Sequence, residues 1–361
     1  MKKISGTKNK SMVRKKQPIE ADDAELSLAV RAAWLSYVGG RTQAQIAARL
    51  HISQAKAHRL IAEALQRGLV KVFIQGEPAE CIALEDRLTT DFGLRQCVVA
   101  PNLQIDRVND PKSRFQALGS AGARLLHREL STSKPGVLGI GKGRTLAAVV
   151  DHLPDIGLPD TKIVSVTGSL TRNLSAYPFD VVLRLAERTG GSGYFLPVPY
   201  LASNIGEKTL LLQQQSIKSV LNLARQADIL LIGIGSLDAE AHLRQVEIVT
   251  ESEWTELRAH GAVGDLLGTF IDIDGQSVSL GINKLAVGLG LEELRGRRVI
   301  AFAGGVNKAM AILAALRTGL ITDLVIDEAT ATKVAALHGQ RPAQASAAES
   351  QKSNNRERHN A

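Results

Sequence analysis

Cysteine is scarce in this chain of 361 residues: Cys81 and Cys97 are the only two, and they form no CxxC pair and no Cys/His cluster. That argues against a disulfide framework and a structural zinc site, and it fits a reducing, cytoplasmic compartment. No apolar run reaches the ~18 residues that a membrane-spanning helix needs. The N-terminus is basic but lacks the apolar core and cleavage signature of a signal peptide. No internal repeat is found. His127, His152, His242 and His260 are scattered without ligand spacing; surface or capping roles are expected for each, and no metal site.

What is present is a large apolar fraction, 44%, enough for a sizeable core and two domains. The net charge of +8 is unevenly placed. Residues 1–75 hold 14 Lys/Arg against five Asp/Glu, a net +9, which leaves 30 basic and 31 acidic residues, a net −1, for the rest. The positive excess therefore sits in the first fifth, and counterion release makes a polyanion the natural partner of that segment alone. Segment 1–24 is expected to be a disordered basic tail, and so is 339–361, GQRPAQASAAESQKSNNRERHNA, which has almost no large apolar residues.

Segment 25–75 reads as a helical module. Leu26, Leu28, Val30, Ala33, Trp34, Tyr37 and Val38 give a mostly apolar helix closed by Gly39-Gly40. Thr42 looks like the N-cap of a second helix, with Gln45 completing a capping box, and Ile46, Ala47 and Leu50 supply its buried face. His51-Ile52-Ser53 makes a tight turn with Ile52 as its apolar plug, and Ser53 caps a third helix whose Ala57, Leu60, Ile61, Ala64 and Leu65 point inward. This is the pattern of a helix-turn-helix reader of double-stranded DNA. Thr42, Ser53, Gln54, Lys56, His58 and Arg59 are the candidate DNA-contacting residues, since Gln and Arg offer bidentate hydrogen bonds and Lys a mobile charge. The alternative is a solvated polar helix face. Gly68–Ile74 then reads as a turn into a strand, as in winged variants.

A connector helix is expected within 76–95, around Cys81–Leu88, as a dimer contact or an ordinary domain-edge helix. From 96 to 338, apolar runs at 96–100, 136–140, 162–166, 229–232, 298–303 and 324–326 alternate with helical stretches. Continuous apolar strands separated by helices indicate a doubly covered, mostly parallel α/β sheet. Ligands of such sheets sit at the carboxyl ends of the strands. Three of those ends run into glycine turns: Gly139–Thr145, Gly233–Ser236, and Ala303–Lys308. Glycines let backbone N–H groups approach an anion, and Arg144, Thr145 and Lys308 add donors. The first turn is neither a Walker loop nor GxGxxG, because no GK[ST] ends it and Arg144 takes the last glycine's place. A polyol or phosphate pocket is expected where the three meet, with no cofactor. Thr167-Gly168-Ser169 and Asp265–Gly268 read as loop geometry first, Asp272-x-Asp274-Gly275 as a turn, and Asp327 as a sugar contact or a helix cap.

These motifs resemble the SorC family of sugar-sensing transcription regulators over residues 25 to 338. The resemblance rests on TQAQIAARLHISQAKAHRLIAEALQRGLV, on GIGKGRT, and above all on AGGVNKAMAILAALRTGLITDLVIDEATA. LSLAVRAAWL, AECIALEDRL and GSLTRN are similar to the subgroup that represses erythritol-catabolism genes. The family implies an effector domain sharing the fold of glucosamine-6-phosphate deaminase and ribose-5-phosphate isomerase. It also implies homotetramers on operator DNA and a sugar phosphate or polyol effector. Carried over, the effector site comprises Gly141, Gly143, Arg144, Thr145 and Lys308, and Asp265 and Gly168 match less closely; Gly235 is a candidate from the second glycine turn itself. Lys142 departs from the usual uncharged residue and favours an anionic ligand if it faces the pocket.

The expected function is a ligand-controlled transcription regulator, a repressor of a carbohydrate or sugar-alcohol operon, with no catalytic residues. An active sugar-phosphate isomerase or deaminase with a DNA-binding head is the alternative. It lacks an Asp-His or Glu-His constellation to act as general base. A DNA coat without effector conflicts with the glycine-rich pocket.

Overall fold

A computed structural model of the chain describes residues 19–70, 79–102, 111–176, 179–238 and 241–340. The chain divides into two units, Met1–Val72 and Phe73–Ala361. In the first, three helices succeed one another: α1 (Ile19–Tyr37), α2 (Gln43–Leu50) and α3 (Gln54–Gln66). Helix α1 starts at Ile19, so residues 19–24 of the stretch expected as a tail are helical. Residues 1–18, the wing strand expected after Val70, and 341–361 lie outside the described residues.

Local chemistry fixes the α2–α3 turn. Thr42 Oγ1 accepts from Gln45 N at 3.4 Å and Gln45 Oε1 accepts from Thr42 N at 3.1 Å, so both ends of the capping box are made. Ser53 Oγ accepts from Lys56 N at 3.2 Å and satisfies a free donor at the start of α3. Between them His51 is left-handed at φ 53°. Ile46, Ala47, Ala57, Leu60, Ile61 and Ala64 close on Ala29, Ala32, Ala33 and Leu35, and Ile52 packs on their edge. Leu65, expected inside, is 43% exposed. Val30, Trp34, Tyr37 and Val38 of the first helix also face out, because its alanines take the buried face.

The strands of the second unit are β1 (Gln96–Ala100), β2 (Val137–Ile140), β3 (Lys162–Ser165), β4 (Ser192–Tyr194), β5 (Ile229–Gly233), β6 (Gly235–Ser236), β7 (Ala262–Leu266), β8 (Thr269–Asp272), β9 (Val299–Phe302) and β10 (Asp323–Asp327). Its helices are α4 (Ala79–Phe92), α5 (Pro111–Ser133), α6 (Arg144–His152), α7 (Val182–Thr189), α8 (Ile205–Gln213), α9 (Gln215–Arg225), α10 (His242–Gln245), α11 (Glu251–Ala259), α12 (Ala309–Arg317) and α13 (Glu328–Gly339). Seven strands pair in parallel in the order β1-β10-β9-β5-β2-β3-β4, while β6, β7 and β8 form a separate antiparallel ribbon. The apolar runs of the sequence mark neither the ribbon nor the short β4.

Period-two alternation splits the large sheet between two cores. Val99, Val164, Leu230, Ile232, Val299, Ala301, Leu324 and Ile326 join the cluster that includes α4, α9, α12 and α13. Val98, Leu138, Ile140, Ile163, Ile229, Leu231, Ile300, Phe302 and Val325 join the cluster of α5, α6 and α7. With helices on both faces, neither set of positions can be polar, which is why the strands read as unbroken apolar runs. A third cluster, with Trp254, Phe270 and Tyr200, roofs the ribbon.

Leu60, with no exposed surface, is the centre of the first unit. Leu60→Ala is expected to lower the stability of that unit by about 2–5 kcal/mol. In a Trp254→Phe background the Trp34 fluorescence transition should move to lower denaturant. An unmoved transition would mean that α3 does not hold this unit together.

Candidate functional site

Strands β9, β5, β2 and β3 are consecutive in the sheet, so the loops after their carboxyl ends gather at one rim. One cavity there is lined by Gly143, Arg144 and Thr145 after β2, by Gly235 and Ser236 after β5, by Lys308 after β9, and by Thr167 after β3. Tyr200, His242 and Asp265 close it from the ribbon side. Gly143 has φ +140° and no side chain caps α6, so the first amides of that helix open toward the cavity.

Among the described residues no carboxylate is bonded to Lys308 or Arg144, although the nearby charges of Asp238 and Asp265 work to raise the Lys308 pKa. Lys308 Nζ donates to the Ile234 carbonyl at 3.3 Å, and burial, followed by the charge of Arg144, lowers its pKa to about 8. Arg144 has its Cζ 5.9 Å from the Phe115 ring centroid. Neither forms an ion pair among the described residues. Burial, followed by Arg144, holds the His242 imidazole down at about 4, so it is neutral near pH 7 and reads hydrogen bonds rather than charge.

The same cavity also offers hydroxyl and carboxylate groups. Asp265 is buried; its Oδ2 accepts from Tyr200 Oη at 3.0 Å and from Gly268 N at 3.2 Å. Burial pushes its carboxyl pKa up, against both of those bonds. Gly235 pairs with Asp265 in the ribbon, and a Cβ at 235 would fall 1.7 Å from Asp265 Oδ1. Thr167 Oγ1 is buried at the cavity without a hydrogen-bond partner among the described residues. Lys142 also lines the cavity, yet its Nζ lies 3.2 Å from Asp180 Oδ2, so this charge is already compensated within the wall. Its pKa is lowered to about 8, mainly by burial.

Of the sequence-predicted effector residues, Gly143, Arg144, Thr145, Gly235, Asp265 and Lys308 come together, and Gly141 and Gly168 do not line the cavity. Gly141 N bonds to the Leu231 carbonyl at 2.8 Å and a Cβ there would meet only ordinary contacts, whereas a Cβ on Gly168 would lie 2.2 Å from the Pro199 carbonyl oxygen, so Gly168 serves close backbone packing. His242, expected at the surface or as a cap, is a cavity residue. Tyr200 joins it there without any mark in its sequence spacing, and Ser236 comes with the second glycine turn that the sequence marks. Asp272 makes the expected turn, accepting from Asp274 N at 3.0 Å and Gln276 N at 2.9 Å. Asp327 caps α13 through Thr330 N at 3.0 Å and holds Gly305 N at 2.9 Å, so it shapes the third glycine turn. No group of three His, Cys, Asp or Glu side chains suited to a metal is found among the described residues, and no described helix is long and apolar enough to cross a membrane.

On α3, Gln54, Lys56, His58 and Arg59 are exposed along one end, with Thr42 and Ser53 at the helix starts. His58 Nδ1 lies 3.0 Å from Gln43 Nε2, and Arg59 donates to Glu25 at 2.8 Å. The Arg59 side chain is nonetheless 65% exposed, an ion pair that solvent weakens.

Comparison with known proteins identifies the class. Residues 76–336 match the family described as "Putative sugar-binding domain". The chain is 40% identical over 309 residues to the erythritol catabolism regulatory protein EryD of Brucella abortus, covering 86% of this chain and 96% of that one. It is 31% identical to the transcriptional regulator LsrR of an Enterobacter species, covering 87% and 94%. The full-length sorbitol operon regulator SorC from Klebsiella pneumoniae superposes with a TM-score of 0.63 at 27% identity, covering 87% and 99%. These are sugar-responsive transcriptional regulators, not enzymes. The chain belongs to the SorC family of that class.

The lowered pKa of Lys308 gives a pH signature. The amine is charged below about 8 and neutral above it, so an anion held by it binds best at low pH. Sulfate, a dianion throughout, is expected to lose affinity as pH rises from about 7 to 10. Isothermal titration should show that decline in the native protein and a flatter profile in Lys308→Ala; equal slopes would remove Lys308 from the site.

Proposed function

We propose that this protein is an operator-binding repressor of carbohydrate or sugar-alcohol catabolic genes, released from DNA when a polyol or its phosphate fills the cavity. The observation that carries this reading is the gathering of Arg144, Thr145, Lys308, Asp265 and Thr167 around one cavity. Cations and amides suit a phosphoryl group; Asp265, Thr167 and neutral His242 suit hydroxyls. The 40% identity to an erythritol catabolism regulator favours a four-carbon polyol or a near relative.

In this proposal α2, its turn and α3 form a helix-turn-helix. Helix α3 enters the major groove with Gln54, Lys56, His58 and Arg59 toward the bases and phosphates, and Thr42 and Ser53 sit at the backbone. The second unit takes the fold shared with glucosamine-6-phosphate deaminase and ribose-5-phosphate isomerase. The working form is a cytoplasmic homo-oligomer, a tetramer as the family resemblance implies, because paired half-sites one or more helical turns apart require paired heads. Effector binding shifts the population between two spacings of those heads.

A gel shift with the native operator is expected to show lower affinity in the presence of erythritol or erythritol phosphate; indifference to every polyol and polyol phosphate would sink the induction scheme. Arg59→Ala should cost roughly 1–3 kcal/mol on operator DNA if it reads a guanine. An equal loss on random DNA would assign it to phosphate instead. Lys308→Ala should bind operator normally and lose the effector response.

A further inference from the structure

Beside the third glycine turn stands a cation from a distant element. Arg114 lies in the first turns of α5. Gly305 has φ +113°, and a Cβ built there would meet Asn307 Oδ1 at 2.8 Å, Arg114 Cζ at 3.3 Å and Arg114 Nη1 at 3.4 Å. The guanidinium therefore lies over bare backbone, in space that a side chain at 305 would narrow. Its Cζ is 5.5 Å from the centroid of the Phe115 ring, and Arg144 Cζ is 5.9 Å from the same centroid. One aromatic ring thus carries both arginines.

The charges around Arg114 are unfavourable as they stand. Arg114 lies close enough to Lys308 for its charge to help lower that lysine's pKa. Its Nε is buried with no hydrogen-bond partner, and it forms no ion pair among the described residues. The two carboxylates whose charge reaches Lys308 take their hydrogen bonds from other groups: Asp238 accepts from Ser236 Oγ at 2.7 Å and Asn307 Nδ2 at 3.0 Å, and Asp265 accepts from Tyr200 and Gly268. Arg144 and Lys308 line that end of the cavity and Arg114 stands beside it at Gly305; among the described residues no carboxylate is bonded to any of the three, and the nearby Asp238 and Asp265 only partly offset Lys308, so the cluster favours an anion.

We propose that Arg114 is an effector-binding residue, joining Arg144 and Lys308 in gripping a phosphoryl dianion. This rests on reading the cavity as the effector site. A neutral hydroxyl cannot offset three cations, whereas a phosphoryl group has two charges and three oxygens to share among them. The phosphorylated form of a polyol is then the effector, in preference to the free polyol.

The test uses the full-length protein and inorganic phosphate, replacing chloride at constant ionic strength, with the melting temperature as readout. Phosphate should stabilise the native protein. Arg114→Gln should weaken phosphate binding about tenfold and Arg114→Lys should recover part of it. Arg124→Gln, the same charge loss on the same helix, should leave it unchanged. Should Arg114→Gln not fold, Arg114→Lys against Arg124→Lys gives the same comparison. Native-like phosphate binding in both Arg114 variants would reduce the residue to packing and leave the cavity assignment standing. Equal weakening by Arg124→Gln would show only a general charge effect and overturn the proposal. A native protein that phosphate does not stabilise would overturn the anionic reading of the cavity itself.

Discussion

Parallel pairing of β9, β5, β2 and β3 is the constraint on which the site depends. Parallel strands all point the same way, so every carboxyl end in the run delivers its loop to one rim. Because β9, β5 and β2 are consecutive, three glycine turns far apart in sequence become lateral neighbours. The pairing in turn depends on the split of strand residues between two apolar cores, with Leu231 facing one side and Leu230 and Ile232 the other. A register slip of one residue would exchange those faces and disperse the rim.

On that rim the protein sets unlike chemistries side by side. Arg144 and Lys308 share an end with neutral His242, whose proton their positive charge helps to drive off. Asp265, within reach of the Lys308 charge, is buried and held by Tyr200 and a backbone amide. Lys142, the residue that sets this chain's first turn apart from the family pattern, contributes no free charge because Asp180 answers it. Polarity in the cavity is thus set less by how many charges line it than by which of them already have partners.

Much of this is legible in the sequence, and the reasons differ by feature. The strands of the sheet core are readable because doubly buried strands are apolar throughout, and the α2–α3 turn because Thr42, Gln45 and Ser53 cap in fixed positions. The glycine turns point to the site, since a close backbone approach leaves a compositional trace. Individual roles within the turns are less visible: Gly168 serves packing, and a glycine that serves packing reads the same as one that faces a ligand. Residues brought in by the ribbon, His242 and Tyr200 among them, carry no spacing signal because tertiary contact alone places them. Leu65 misleads because α3 buries a narrower stripe, lined with alanine, than its period suggests.

The close fit of Gly235 against Asp265 reaches beyond either residue. Any larger residue at 235 evicts the carboxylate, and relocating the carboxylate removes the reason for the glycine. The two are sterically coupled, locked together across a ribbon of three short strands. Diversification of what such a regulator senses must therefore leave this pair as a fixed post and work through the side chains around it.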